Sequence, residues 1–347
     1  MKKTLAALIV TAFAASAANA AVVYDNEGTK VELNGSLRLI MEKADKKVYN
    51  AANQSTKKAN SALRNAGSRF GITVKHNLDN DFYALGRLEF RFDDTTSRDK
   101  FGRLYAKRAY VGLGSKATGD ITFGRQLTIA DDLSQAVDYE YGFIPKSEYI
   151  PTAGTGVVRY DYKGIEGLQL SANYNFGQTN DEKGNPLKPG IKNAYAVGAL
   201  YTVGDLDARL AYGHTNFETG ASYAHRLDGV LASLGYKFGD FTLTGDFGYG
   251  HEKLDDAKLN KFYVSPGFAY QVVPASKVYG NYLYERAKGE SDKVKTHGFL
   301  LGADYKLHKQ VVLFVEGKYV TAKKYTNDAY DGKVKDRAIG VGMRVFF

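Results

Sequence analysis

The sequence has no cysteine, no tryptophan and only 6 prolines in 347 residues. Missing thiols exclude a disulfide framework, Cys-ligated zinc and a thiol nucleophile together. Histidine is scarce: His76, His214, His225, His251, His297 and His308 never fall within four residues of one another. His251-Glu252 is not continued into a zincin motif, so neither a metal site nor a cofactor is expected. After the N-terminal segment, no window approaches the roughly 18 apolar residues of a membrane-spanning helix.

What is abundant is glycine, at 37, and tyrosine and phenylalanine, at 26 and 19. The formal net charge is +9. A positive balance alone fits a basic soluble binding module for nucleic acid or glycans, but such modules gather their charges in stripes or tracts. Here the charges are spread along the chain, each beside an apolar neighbour. Lys57-Lys58 and Lys323-Lys324 fall in predicted loops and are read as solvated. No nucleic-acid partner is expected.

The N-terminus gives the compartment. Met1-Lys2-Lys3 is a positive start, Thr4 to Ala15 an almost wholly apolar stretch, and Ala18-Asn19-Ala20 an A-x-A cleavage site. Residues 1–20 are read as a cleaved signal peptide and 21–347 as one domain. Removing Lys2 and Lys3 leaves 45 basic against 38 acidic residues.

Periodicity then separates a soluble exported protein from an outer-membrane barrel. Leu168, Leu170, Ala172, Tyr174 and Phe176 alternate with Gln169, Ser171, Asn173 and Asn175, about the length of a tilted transmembrane strand. The pattern recurs from Val31 to Leu39, from Phe82 to Phe92 and from Phe241 to Tyr249. Sixteen such segments are counted, joined alternately by short turns and by long connections at about 42–67, 93–102, 127–155, 178–192, 216–225, 251–259, 286–294 and 322–335. An even number of strands closes an antiparallel barrel, and closure removes the edges that lipid cannot satisfy. Pro266 is the exception, inside the twelfth strand, where it implies a bulge or a misplaced strand. Aromatics near strand ends suit interfacial girdles.

The signal peptide, the opening Val31-Glu32-Leu33-Asn34-Gly35-Ser36-Leu37-Arg38, the runs Gly67-Ser68-Arg69-Phe70-Gly71 and Ala109-Tyr110-Val111-Gly112-Leu113, then Phe123-Gly124-Arg125, resemble the general diffusion porins of Gram-negative outer membranes. So does the ending, Ile339 to Phe347, apolar at every second position with a terminal aromatic. The resemblance covers the whole mature chain. It implies an all-β transmembrane barrel of 16 strands, a homotrimer in outer-membrane lipid, with a long third external loop folded into the lumen. It further implies passive diffusion of small hydrophilic solutes and ions, and a role for Phe347 as assembly signal.

Residues 127–155 are the longest connection and hold Asp131, Asp132, Asp138, Glu140 and Glu148 against one base, Lys146. Arg69, Lys107 and Arg125 are read on the polar side of their strands and, by the resemblance, match the family's basic wall; Arg38 and Arg87 share the inward parity. Opposed fixed charges across a narrow passage would sort ions by sign. The Pro-Glu-Phe-Gly-Gly run of enterobacterial constriction loops is replaced by Tyr139-Glu140-Tyr141-Gly142-Phe143-Ile144-Pro145. An outer-membrane barrel enzyme is the other alternative, and it lacks support: there is no G-x-S-x-G, and no Ser or Asp stands near a histidine in a nucleophile pattern.

Overall fold

The computed structural model describes residues 20–93, 101–219 and 224–347, so the predicted signal peptide lies outside it but for Ala20, as does most of the predicted connection 93–102. The strands are β1 (Ala21–Asn26), β2 (Thr29–Asn50), β3 (Ser55–Asn65), β4 (Arg69–Asn77), β5 (Phe82–Asp93), β6 (Arg103–Ser115), β7 (Gly119–Leu127), β8 (Ala153–Ile165), β9 (Leu168–Asn175) and β10 (Gln178–Asn180). They continue as β11 (Pro186–Val203), β12 (Leu206–Phe217), β13 (His225–Phe238), β14 (Phe241–Leu254), β15 (Ala257–Val273), β16 (Ser276–Lys288), β17 (Asp292–His308), β18 (Val311–Thr326) and β19 (Ala329–Phe346).

All belong to one sheet of antiparallel neighbours, and β19 pairs with β2. β3 and β4 are two pieces of one stave, paired with the upper and lower parts of β2. β9 and β10 likewise follow one another along β11. β1 and β19 meet end to end along β2, with Ala21 opposite Leu33 and Phe346 opposite Ser36. The nineteen strands therefore make sixteen staves, one of them built from both ends of the chain. At that seam Gly35 N–H donates to the Phe347 carbonyl at 2.8 Å, and Phe347 N–H donates to that of Gly35 at 3.1 Å.

Alternation sorts the two faces. Leu37 (58% exposed), Val111 (66%) and Leu301 (61%) stand on the outside, while Ser36, Glu89, Asp304 and Glu316 are buried within. A soluble sheet would bury the first set; a barrel in lipid turns it outward and keeps its polar residues for the water-filled interior.

Two expectations change. Several of the predicted long connections are hairpins: β2 and β3 close over residues 51–54, β14 and β15 at Asp255 and Asp256, β18 and β19 at Asn327 and Asp328. Asp255, Asn327 and Asp328 carry the positive φ values (52°, 49° and 62°) such tight turns need. Lys57-Lys58 and Lys323-Lys324 consequently lie in strands, not loops. Outside the membrane both faces of a strand meet water, so pairing continues where the alternation fades. Pro266 sits in β15 opposite Gly245 of β14 without a bulge: the β15–β16 register is the same at Val264↔Tyr284 and Gly267↔Asn281, and pairing lapses between them without shifting.

The seam yields a test. A Cβ at Gly35 would meet the Phe347 ring at 2.5 Å and the Arg69 carbonyl at 2.8 Å. Gly35→Val should therefore lower the yield of folded barrel severalfold, as deletion of Phe347 should, read by heat-modifiable electrophoretic mobility. A surface variant, Leu37→Val, should fold as the parent does.

A candidate permeation constriction

The connection between β7 and β8 does not extend into solvent. Its base is closed by Thr128, whose N–H reaches the Thr152 carbonyl at 3.0 Å and whose hydroxyl donates to that of Pro151 at 2.6 Å. Two 3-10 turns, Ile129–Asp132 and Lys146–Glu148, hold its shape. Ile129, Leu133, Tyr149 and Ile150 pack on Ala196, Ala211, Leu231 and Tyr263 of the inner wall, forming an apolar core inside the barrel. Burial of side chains this size contributes about 1.5–3 kcal/mol each. The wall makes room with glycine: a Cβ at Gly229 would stand 2.2 Å from the Tyr149 carbonyl.

Wall carboxylates hold the rest. Glu316 of β18, 1% exposed, accepts the successive backbone N–H groups of Tyr139 (2.7 Å), Glu140 (2.8 Å) and Tyr141 (2.5 Å), and the Tyr279 hydroxyl at 2.9 Å. The Tyr139 hydroxyl donates to Asp304 at 2.7 Å, that of Tyr141 to Glu42 at 3.0 Å and that of Tyr149 to Glu285 at 3.0 Å. Asp246 accepts from Ser134 Oγ at 2.7 Å and from the Gln135 N–H at 3.1 Å. These anchors lie on β2, β14, β16, β17 and β18, so the loop crosses the interior of the barrel.

The loop's acids divide. Glu140 accepts from Arg64 of β3 at 2.6 Å, and the same guanidinium grips both Glu42 oxygens at 2.9 Å. Asp132 pairs with Arg159 of β8 at 2.8 Å, and burial raises its carboxyl even so. Asp131 accepts Lys146 through its backbone carbonyl, and Glu148 is exposed. Asp138 opens onto the lumen, yet wall and loop atoms crowd it; that crowding, with the Glu316 carboxylate, pushes its carboxyl up to about 6. Among the described residues Asp138 makes no ion pair.

The basic wall is larger than expected. Cross-strand register sets Arg344 opposite Arg38, Arg69 opposite Arg91 and Arg108 opposite Glu89, a band running over β19, β2, β4, β5 and β6. Glu89, 3% exposed, binds Arg87 at 2.9 Å, Arg91 at 2.6 Å and Arg108 at 3.6 Å. Arg38 donates to Ser36 Oγ at 2.7 Å, Arg69 to the Gly67 carbonyl at 3.2 Å, and Arg344 lies over the Tyr139 ring at 4.6 Å. None of these last three has a carboxylate within ion-pair distance among the described residues.

Lys107 and Arg125 both bond to the connection between β10 and β11. A register shift makes Lys107 the extra residue of a bulge, with Glu89 opposite Arg108 and Phe90 opposite Ala106. Arg108 thereby reaches Glu89, while Lys107 pairs with Glu182 of the connection between β10 and β11. Arg125, at an irregularity between Gly124 and Gln126, donates to the carbonyls of Ala106 (3.0 Å) and Glu182 (2.9 Å), not to the acids of the β7–β8 loop. Arg91 and Arg344 were legible by parity, one in the strand of Arg87 and one in the terminal strand. Arg108 was hidden by the bulge, and Arg64 by assigning 42–67 to a loop.

A closed sixteen-stave barrel with polar residues inside, apolar residues outside and a connection folded across its middle is a membrane channel of the outer-membrane type. The profile of the family described as Gram-negative porin matches residues 4–325, and the chain belongs to that family. The major outer membrane protein of Pasteurella multocida (strain Pm70) is 30% identical over 377 aligned residues that cover 100% of both chains. Among solved structures, outer-membrane expressed OmpT of Vibrio cholerae superposes with a TM-score of 0.70 at 18% identity, covering 94% of this chain and 100% of that one. An anion-selective porin from Comamonas acidovorans does so at 0.64 and 18%, covering 92% and 100%. The protein is an outer-membrane diffusion channel for small hydrophilic solutes and ions.

If Glu316 holds the loop, Glu316→Ala should raise single-channel conductance and open-channel noise in planar bilayers. It removes an acceptor of three backbone hydrogen bonds, each worth about 1.5–3 kcal/mol when one partner is charged. Unaltered conductance and noise would show that the apolar packing alone suffices.

Proposed function

We propose that the narrow part of the channel lies between the arginine band and the loop 128–152, and that it favours small anions. The observation that carries this reading is the unequal pairing of charges. Among the described residues Arg38, Arg69 and Arg344 keep no carboxylate at ion-pair distance, whereas Glu140 and Asp132 are held by Arg64 and Arg159. Two opposed rings of free charge would set a transverse field; an acidic ring with two of its members already paired, beside an open cationic one, attracts anions. Unit charges about 8 Å apart interact by about 2 kcal/mol at an effective dielectric of 20, enough for a severalfold bias. In this reading residues 1–20 direct export and are cleaved, the Phe347 seam serves assembly, and the working unit is a homotrimer.

Arg38→Gln combined with Arg69→Gln should move the zero-current potential in a KCl gradient toward cation preference by severalfold in permeability ratio. The shift should shrink at 1 M salt, where the Debye length is about 3 Å. Arg125→Gln should have the smaller effect. An unchanged potential in the double variant would place the filter elsewhere.

Asp138 adds a pH dependence. Its carboxyl titrates near 6, so acidification from pH 8 to 5 removes one negative charge from the passage and should raise anion preference. Asp138→Asn should show the acid behaviour already at pH 8 and lose that titration, as read from the zero-current potential across the range.

A further inference from the structure

The connection between β10 and β11 turns inward as well. Its root is fixed on β8, where the Gln178 side-chain oxygen accepts the Thr155 N–H at 2.9 Å and the Thr155 hydroxyl at 3.2 Å. Its turn is closed by Asp181: one carboxylate oxygen accepts the N–H groups of Lys183 (2.9 Å) and Asn185 (2.8 Å), the other the Asn185 side-chain amide at 2.9 Å. Gly184 takes the φ of +85° that this turn requires, with nothing within 4 Å of a Cβ placed there. An Asp that binds the N–H groups of its own turn fixes the backbone locally, and here it fixes that of Glu182.

From the stave of β9 and β10 the sheet runs through β8 and β7 to β6, in spacings of about 4.8 Å. The turn spans them. The Glu182 carboxylate pairs with Lys107 of β6, and the Glu182 carbonyl accepts Arg125 of β7 at 2.9 Å. The Lys183 ammonium lies 6.0 Å from the centre of the Tyr105 ring, also on β6. The ion pair is largely shielded, with 13% of the Lys107 side chain and 23% of that of Glu182 exposed. Salt and water therefore weaken it less than they would a surface pair.

Lys107 adjoins Arg108, the β6 member of the arginine band, and Arg91 and Asp131 are the further charges that bear on its ammonium. Glu89 of the wall is taken by Arg87, Arg91 and Arg108. Among the described residues the carboxylate at ion-pair distance from Lys107 is that of Glu182, so the counter-charge comes from an external connection and not from a strand. We infer that Glu182 is a specificity-determining residue: carried inward by the β10–β11 connection, it neutralises Lys107, ends the open cationic band at β6 and holds down the preference for anions. The inference rests on the reading that this band biases permeation. Its effect grows with the charge of the permeant, because a fixed charge acts on a divalent anion with twice the Coulomb energy it exerts on a monovalent one. Glu182 therefore discriminates most strongly against divalent anions such as sulfate.

The test is the zero-current potential of the purified channel in planar bilayers, under gradients of potassium chloride and of potassium sulfate at low salt. Glu182→Gln keeps the size of the side chain and leaves Lys107 open, so it should raise the anion-to-cation permeability ratio by about threefold for chloride and by more for sulfate. Lys107→Gln leaves the carboxylate bare and should move the ratio the other way. The double variant, whose pair again sums to zero charge, should return to the parent's ratio. A connection that acts only by occupying space would leave the double variant as far displaced as Glu182→Gln, and that result overturns the inference. Arg38→Gln with Arg69→Gln is recorded beside them. If it shifts the potential and Glu182→Gln does not, the role of Glu182 is refuted and the reading of the band stands; if neither shifts it, both are refuted.

Discussion

Lipid offers a peptide group no hydrogen-bond partner, and the architecture follows from that constraint. Every wall strand must find neighbours on both sides, so the sheet closes, and the last gap is filled by joining the two chain ends along β2. Closure fixes a lumen, and a fixed lumen gives the β7–β8 connection an interior against which to fold. That connection has the chemistry of a small hydrophobic core, with Ile129, Leu133, Tyr149 and Ile150 buried at its two ends, but the core lies inside a water-filled channel and not between two layers of sheet.

The wall contributes carboxylates at the places where the loop offers backbone N–H groups and tyrosine hydroxyls. Glu316, Asp304, Glu42, Glu285 and Asp246 hold the loop, while the arginines concentrate on the other side of the barrel, from β19 to β6. The acids that attract attention in the sequence, those of the loop itself, are in two cases drawn into ion pairs with the wall. The acids that organise the passage belong to strands. Among the described residues this division leaves Arg38, Arg69 and Arg344 without a carboxylate partner on the β19-to-β6 side of the lumen.

Alternation determined much on its own, because a stave exposed to lipid on one face and to water on the other must change polarity at every residue. From that came the all-β class, sixteen staves, the outward and inward sets, and the inward arginines at 38, 69 and 87. The same reasoning ended the strands too early at the external side, where the membrane no longer enforces the pattern and Lys57-Lys58 and Lys323-Lys324 were taken for loop residues.

What only the tertiary structure decided are the pairings between residues far apart in the chain. One extra residue at Lys107 turns Arg108 toward Glu89, and a Gly124 irregularity sends Arg125 to two carbonyls. Arg64 meets Glu140 across 76 positions, and Arg344 meets Tyr139 across 205. Local periodicity specifies which face a side chain takes, since that depends on the residue's own strand. It carries no information on which charge stands opposite, since that depends on register, bulges and the path of a loop, all set by the closed barrel as a whole.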